Sequence, residues 1–352
     1  MPLSARSDSL VTQITLGTTP MVPVRGRDPR SGGWKIGEVL AERYRVDSLL
    51  GEGGMGEVYA GTDMSNGQEV ALKVLSPRVW HHGQARLRAD IERRALRRIH
   101  HPNVVLLLDW VAVDQLPVLV LERLHGVALD RYIAKEGALE REEALAMFAA
   151  TARGLAAVHA QGFVHRDVKP QNVFLVTGED GRPREVKLLD FGLARTEKQA
   201  ITGIGMLVGT PAYSAPEQVL GDVVDPRVDI YSLGLSLYCA LGGHHPFASR
   251  DSHETLAHQV LTTPPPLSWL RDDIDPDLEM LVARMLRKRP DLRPASADEV
   301  ADELVQLAER GPRARGAGDG EGCTYDASDI YVPRNPAGAT MLRTVLRPRL
   351  GR

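Results

Sequence analysis

The chain has 352 residues, 43% apolar and 25% charged, with 43 Lys and Arg against 46 Asp and Glu for a net charge of −3. A chain this long takes one large or two medium cores, and its composition excludes global disorder, a collagen-like repeat and a coiled-coil rod. The near-neutral balance argues against nucleic-acid binding through bulk charge. Two cysteines, Cys239 and Cys323, cannot build a disulfide framework and have no zinc-type spacing, which reads as a reducing, cytoplasmic setting. The longest apolar run, Tyr231–Leu241, is too short to span a bilayer. Arg6, Asp8, Thr12 and Gln13 interrupt any signal-peptide core, so a soluble protein without a membrane span is expected.

Residues 1–36 carry five basic and two acidic side chains and residues 311–352 carry seven and four, so each end is +3 and residues 37–310 hold −9. Both ends are rich in Gly, Pro, Thr and Arg without a sustained period and are expected to be flexible tails. Residues 44–62 and 69–75 alternate or run β-branched, through Tyr44, Val46, Val58, Tyr59, Val70, Leu72 and Val74, and predict short antiparallel strands. Leu87, Ile91, Ala95 and Ile99 recur four apart and predict a helix over 85–99. The runs Val104–Leu108 and Val118–Leu121 predict two more strands. After Gly126 the pattern is mostly helical, with Leu145, Phe148, Ala149, Ala152, Leu155, Ala156 and His159 on one stripe of 141–159. An α+β architecture follows: a small β-rich lobe over 37–124, then a larger helical lobe over 125–310.

Three motifs carry chemistry. Gly51, Gly53 and Gly56, with Gly54 between them and Val58 after them, fit GxGxxGxV. A dinucleotide-binding reading needs a helix immediately afterwards; a second strand follows instead, so the glycines form a flap whose N–H groups can approach phosphate oxygens. Next, Lys73 ends the strand Val70-Ala71-Leu72-Lys73, where a lysine can hold α- and β-phosphates as a point charge. Glu92 on the expected helix is the best-placed anion to orient it, since Asp90 lies on another face. The third is His165-Arg166-Asp167-Val168-Lys169-Pro170-Gln171-Asn172, followed eighteen residues later by Asp190-Phe191-Gly192.

With HRDxKxxN and DFG in place, residues from about 38 to 310 resemble the eukaryotic-like (Hanks-type) Ser/Thr protein kinases of bacteria. The resemblance implies the bilobal kinase fold and ATP-dependent transfer of a phosphoryl group to Ser or Thr hydroxyls of proteins, a reaction governed by positioning and charge neutralisation. It implies Asp167 as catalytic base, Lys169 on the transferring phosphate, and Asn172 and Asp190 as hard oxygen ligands for Mg²⁺, with Mn²⁺ as a substitute. Phe191 would pack under the helix of Glu92. For the adenine it implies the backbone of Glu122 and Leu124, Leu121 as gatekeeper, Val58 and Ala71 above the ring and Phe174 below, with Leu50 also among the ATP-binding residues. The aromatic at Phe174 departs from the aliphatic residue usual there, and Gln171 departs from a common glutamate. Lys169-Pro170 and Gly209–Glu217 match the Ser/Thr pattern, with the Thr210 hydroxyl between Asp167 and Lys169. Glu217 is expected to pair with Arg293, and Asp229 to anchor the catalytic loop.

Arg166 beside the base implies a phosphorylated activation loop, with Thr202 the matching position among Thr196, Thr202, Thr210, Tyr213 and Ser214. Threonines in the tethered tails are expected to be autophosphorylated and to recruit forkhead-associated phosphothreonine readers, the alternative being that the tails are solvated linkers whose charge complements the acidic domain. A homodimer for trans-autophosphorylation is a further partner expectation, and nucleic acid is not. Two other classes share part of the pattern. A pseudokinase scaffold is opposed by the intact Lys73, Glu92, Asp167, Asn172 and Asp190. A small-molecule kinase of the aminoglycoside or choline type is opposed by the Gly209–Glu217 segment and Arg293.

Overall fold

A computed structural model of the chain describes residues 34–53, 56–75, 93–114, 116–190, 211–249, 252–313, 331 and 333. Period-2 burial in the first part builds a six-stranded antiparallel sheet in the order β1-β2-β3-β4-β6-β5. Its strands are β1 (Val39–Leu40), β2 (Tyr44–Gly53), β3 (Gly56–Asp63), β4 (Gln68–Leu75), β5 (Leu107–Val113) and β6 (Leu116–Glu122). Alternation divides the sheet into two faces. Val70, Leu72, Val74, Val118 and Val120 join Trp34, Leu40, Tyr44 and Val46 in a cluster on one side. Ala71, Leu119 and Leu121 face the other way, onto Ala95, Leu96 and Ile99 of the helix at residues 93–98 (α1) and its end. Lys73 pairs in register with Leu119, and its alternation with Leu72 and Val74 puts it on this second face with Ala71.

The apolar run expected as a strand over Val104–Leu108 is a connector that only begins a strand. Val104 bridges Leu188 in parallel, the Val105 N–H donates to the Leu188 carbonyl at 3.1 Å, and β5 starts at Leu107. These two valines are apolar because they are buried between the lobes, near Val158, and not because they fill a sheet.

The second lobe holds helices α2 (Leu129–Glu136), α3 (Arg141–Ala160), α4 (Pro216–Val219), α5 (Arg227–Gly242), α6 (Ser252–Leu261), α7 (Pro276–Met285) and α8 (Ala297–Arg310). Every residue of α5 from Val228 to Leu241 is buried, so it is the core helix around which α3, α7 and α8 pack. A three-stranded sheet, β7 (Gly126–Ala128), β8 (Val173–Thr177) and β9 (Pro183–Leu188), stands within this otherwise helical lobe. Its strands are too short to show a period in the sequence. The stripe on α3 is as expected except at His159, which turns its ring to Asp229. Arg141, at the start of α3, is buried with a two-pronged bond to Asp275 (3.1 and 2.7 Å), which also caps α7. Among the described residues no helix is long and apolar enough to cross a membrane.

Candidate active site

The loop between α3 and β8 is anchored by a buried carboxylate. Asp229, fully buried on α5, accepts the N–H groups of His165 and Arg166 at 2.7 Å each, and His159 Nε2 lies 2.8 Å from it. Arg166 is bent into positive φ (+66°), a conformation costly for a side chain bearing a Cβ, and these bonds hold it there. His165 Nε2 lies 2.9 Å from the Leu189 carbonyl while its Nδ1 faces the Asp167 N–H at 3.3 Å. Those partners select the neutral tautomer protonated at Nε2, and burial pushes the ring pKa below its usual value in the same sense. A neutral histidine thus ties the loop of Asp167 to the strand end carrying Asp190.

Asp167 Oδ2 accepts Lys169 Nζ at 2.7 Å and Asn172 Nδ2 at 3.0 Å. Asn172 Nδ2 also donates to the Asp167 carbonyl at 2.8 Å, so its amide oxygen turns away from Asp167. The Leu189 N–H donates to the Asn172 carbonyl at 2.8 Å, bringing Asp190 alongside. Asp190 also has positive φ (+38°) and pairs with Lys73, Nζ to Oδ1, at 2.6 Å. Desolvation by the surrounding chain opposes ionisation of Asp190, but the charge and hydrogen bond of Lys73 outweigh it, and its pKa lies below the ordinary value. Lys73 and Asp190 therefore form a preformed ion pair at the cleft.

The hairpin above is equally specific. A Cβ at Gly51 or Gly53 would meet no atom of the described residues within 4 Å, so packing among them does not require glycine at either position. Space left open on a strand face is what close approach of a phosphate to the backbone needs. Gly56, opposite Gly53 in register, has φ +152° and is glycine for its backbone. Ala71 and Leu121 are buried in one cluster with Val58 and Leu124 packed against them, so four of the residues expected around the adenine meet. Leu50 is largely exposed at the hairpin. Phe174 is half-buried on β8, alternating with the core residues Val173 and Leu175 and outside that cluster. The Glu122 side chain does structural work: its Oε1 accepts the Leu106 N–H and Lys187 Nζ, both at 2.8 Å, and pins the interlobe strand to β9.

Glu217 and Arg293 meet as expected, in a two-pronged buried pair at 2.6 and 2.9 Å. The segment around them is held by contacts that spacing alone does not announce. Gln218 donates to the Arg166 carbonyl at 3.1 Å and accepts the Ala215 N–H at 3.0 Å. The Ala212 carbonyl is contacted by His245 at 2.7 Å and by the Gln259 amide. Ser232 donates to the Tyr213 carbonyl at 2.7 Å. Glu92, Gly54, Phe191, Thr202 and Thr210 lie outside the described residues.

Metal and nucleotide fit this donor set. Asn172 Oδ1 and the Asp190 carboxylate are hard oxygens of the kind Mg²⁺ takes together with phosphates. Phosphate oxygens of a bound nucleotide would complete the coordination.

Comparison with known proteins agrees with this geometry. Residues 44–306 match the family model described as protein kinase domain. The chain is 37% identical over 310 residues to serine/threonine-protein kinase pkn2 of Myxococcus xanthus, covering 86% of this chain and 36% of that protein. It is 36% identical over 291 residues to serine/threonine-protein kinase PknL of Mycobacterium tuberculosis, covering 82% and 70%. It spans 36–50% of the length of the Myxococcus relatives pkn2, Pkn1 and pkn3. A crystal structure of the M. tuberculosis PknI kinase domain superposes with a TM-score of 0.64 at 29% identity, covering 79% of this chain and 100% of that one. By the family match, the shared fold and the assembled loop of Asp167, the chain belongs to the protein kinase family, among the bacterial serine/threonine kinases.

Proposed function

We propose that the chain is an active protein kinase that moves the γ-phosphoryl group of ATP to Ser and Thr hydroxyls of protein substrates. The observation carrying this reading is the loop in which Asp167 is held by Lys169 and Asn172 and tied through His165 to Asp190. Oδ2 of Asp167 takes both bonds, so Oδ1 is the oxygen turned to a substrate hydroxyl. Asp167 accepts that hydroxyl's hydrogen bond and then its proton as the new O–P bond forms and the bond to the ADP oxygen breaks. Lys169, half-shielded beside it, neutralises charge on the moving phosphoryl group. Lys73, now paired with Asp190, would hold α- and β-phosphate oxygens, and Asp190 and Asn172 would hold the metal. Bound Mg²⁺, or Mn²⁺ in its place, would supply the positive charge that neutralises the phosphates.

Domain limits of 37–310 for the kinase unit, cytoplasmic location, activation through phospho-Thr202 near Arg166, a homodimer for trans-autophosphorylation, and docking of forkhead-associated proteins on phosphorylated tail threonines belong to the same proposal. Support comes from the motif positions, the family match over 44–306 and the hydroxyls in the chain. The test is incubation of the full chain with labelled ATP and a basic acceptor protein, followed by phosphoamino-acid analysis. Phosphoserine and phosphothreonine that vanish with Asp167→Asn are expected. No transfer by the wild-type chain, with nucleotide still bound, overturns the reading in favour of a scaffold.

A further inference from the structure

Twenty-one residues beyond the end of α8, Tyr331 is buried, 6% exposed, in an apolar cluster with Val219, Leu220, Leu256 and Val260. Val219 and Leu220 belong to α4 and its end, Leu256 and Val260 to α6. The Tyr331 hydroxyl donates to Asp222 Oδ2 at 2.7 Å. The socket therefore has an apolar wall from two helices and one carboxylate at its base, which suits an aromatic ring with a hydroxyl donor at its tip.

We propose that the α4–α6 face is a docking surface whose occupant is the chain's own C-terminal segment, plugged in place by Tyr331. The proposal does not depend on catalysis. Length permits the contact within one molecule: twenty-one residues can reach as far as about 70 Å when extended, more than the way across a domain of this size. Location gives the plug its consequence. α4 also carries Glu217, locked to Arg293, and Gln218, bonded to the Arg166 carbonyl next to the base. α6 also holds the Ala212 carbonyl, through Gln259. Tyr331 thus closes over the two elements that brace the acceptor segment, and a protein binding this face must first displace it.

The test uses full-length chains and a peptide of residues 327–337. The labelled peptide should bind the Tyr331→Ala chain and bind the wild-type chain at least about tenfold more weakly, because a tethered segment competes at an effective concentration in the millimolar range. Peptide with alanine at the tyrosine should not bind, and Asp222→Ala in the Tyr331→Ala background should weaken binding of the unaltered peptide. Amide exchange over residues 254–261 should quicken in Tyr331→Ala, and less in Tyr331→Phe, which keeps the ring. Equal peptide binding to both chains, or unchanged exchange, overturns the proposal. So does a wild-type chain that dimerises with rising concentration while Tyr331→Ala stays monomeric, which assigns the socket to a second copy.

Discussion

Removing Arg293 should damage the fold more than removing its partner, and the structure says by how much. The guanidinium donates to Glu217 through both terminal nitrogens and to the carbonyls of Arg287, Arg227 and Lys288 at 2.8–3.0 Å, with its side chain fully buried. Arg293→Met leaves a buried carboxylate and three carbonyls without these donors, a loss in the range of about 3–5 kcal/mol for a broken buried pair. At about 2–4 °C per kcal/mol for a large domain, the melting temperature should fall by about 10 °C. Glu217→Gln keeps the three carbonyl bonds and an amide oxygen for one more, so about 1.5–3 kcal/mol is expected, the scale of a hydrogen bond to a charged group. The double variant Glu217→Gln with Arg293→Met should lose less than the two single losses together, since no charge is stranded. Calorimetry and guanidinium unfolding of the three variants measure the cycle. A shift under about 2 °C for Arg293→Met, or strict additivity, would refute the argument that this pair is buried and mutually dependent.

Asp167→Asn should keep the fold and nucleotide binding while transfer falls by about 10²–10⁴-fold, the usual contribution of a positioned base; single-turnover assays with labelled ATP decide it. Gly53→Val should change stability by no more than about 0.5 kcal/mol, as for a surface change, yet raise KM for ATP several-fold, read by comparing melting curves with steady-state kinetics. Burial holds the rings of His101, His165 and His245 below the ordinary histidine pKa. The unfolded chain then binds more protons than the folded one below about pH 6.5. Stability should therefore be full above that value and decline as pH falls from 7 towards 5, and denaturant midpoints across that range test it. Lys73→Met should abolish transfer and return the Asp190 carboxyl towards its ordinary pKa, visible by carboxyl NMR titration.

Residue identity at fixed spacing was enough to place this chain among the bacterial Ser/Thr protein kinases. Asp167, Lys169, Asn172 and Asp190 stand out as HRDxKxxN and the Asp-Phe-Gly that follows it, and the structure brings their loop and strand end together. The same holds for Glu217 with Arg293 and for Asp229, whose partners the resemblance supplied. Periodicity located β4, β6 and α3, where one buried face repeats over enough residues to show. It failed at β7, β8 and β9, which are too short, and at Val104–Val105, whose burial comes from the contact between lobes. Tertiary structure alone paired His159 with Asp229, Arg141 with Asp275, Glu122 with Lys187 and Gln218 with the Arg166 carbonyl. Each joins residues more than fifty positions apart through polar side chains that look, in sequence, like surface. Tyr331 is the extreme case. Nothing in its polar, Gly- and Pro-rich surroundings marks it as buried, because the apolar partners that cover it are contributed by α4 and α6, far back along the chain.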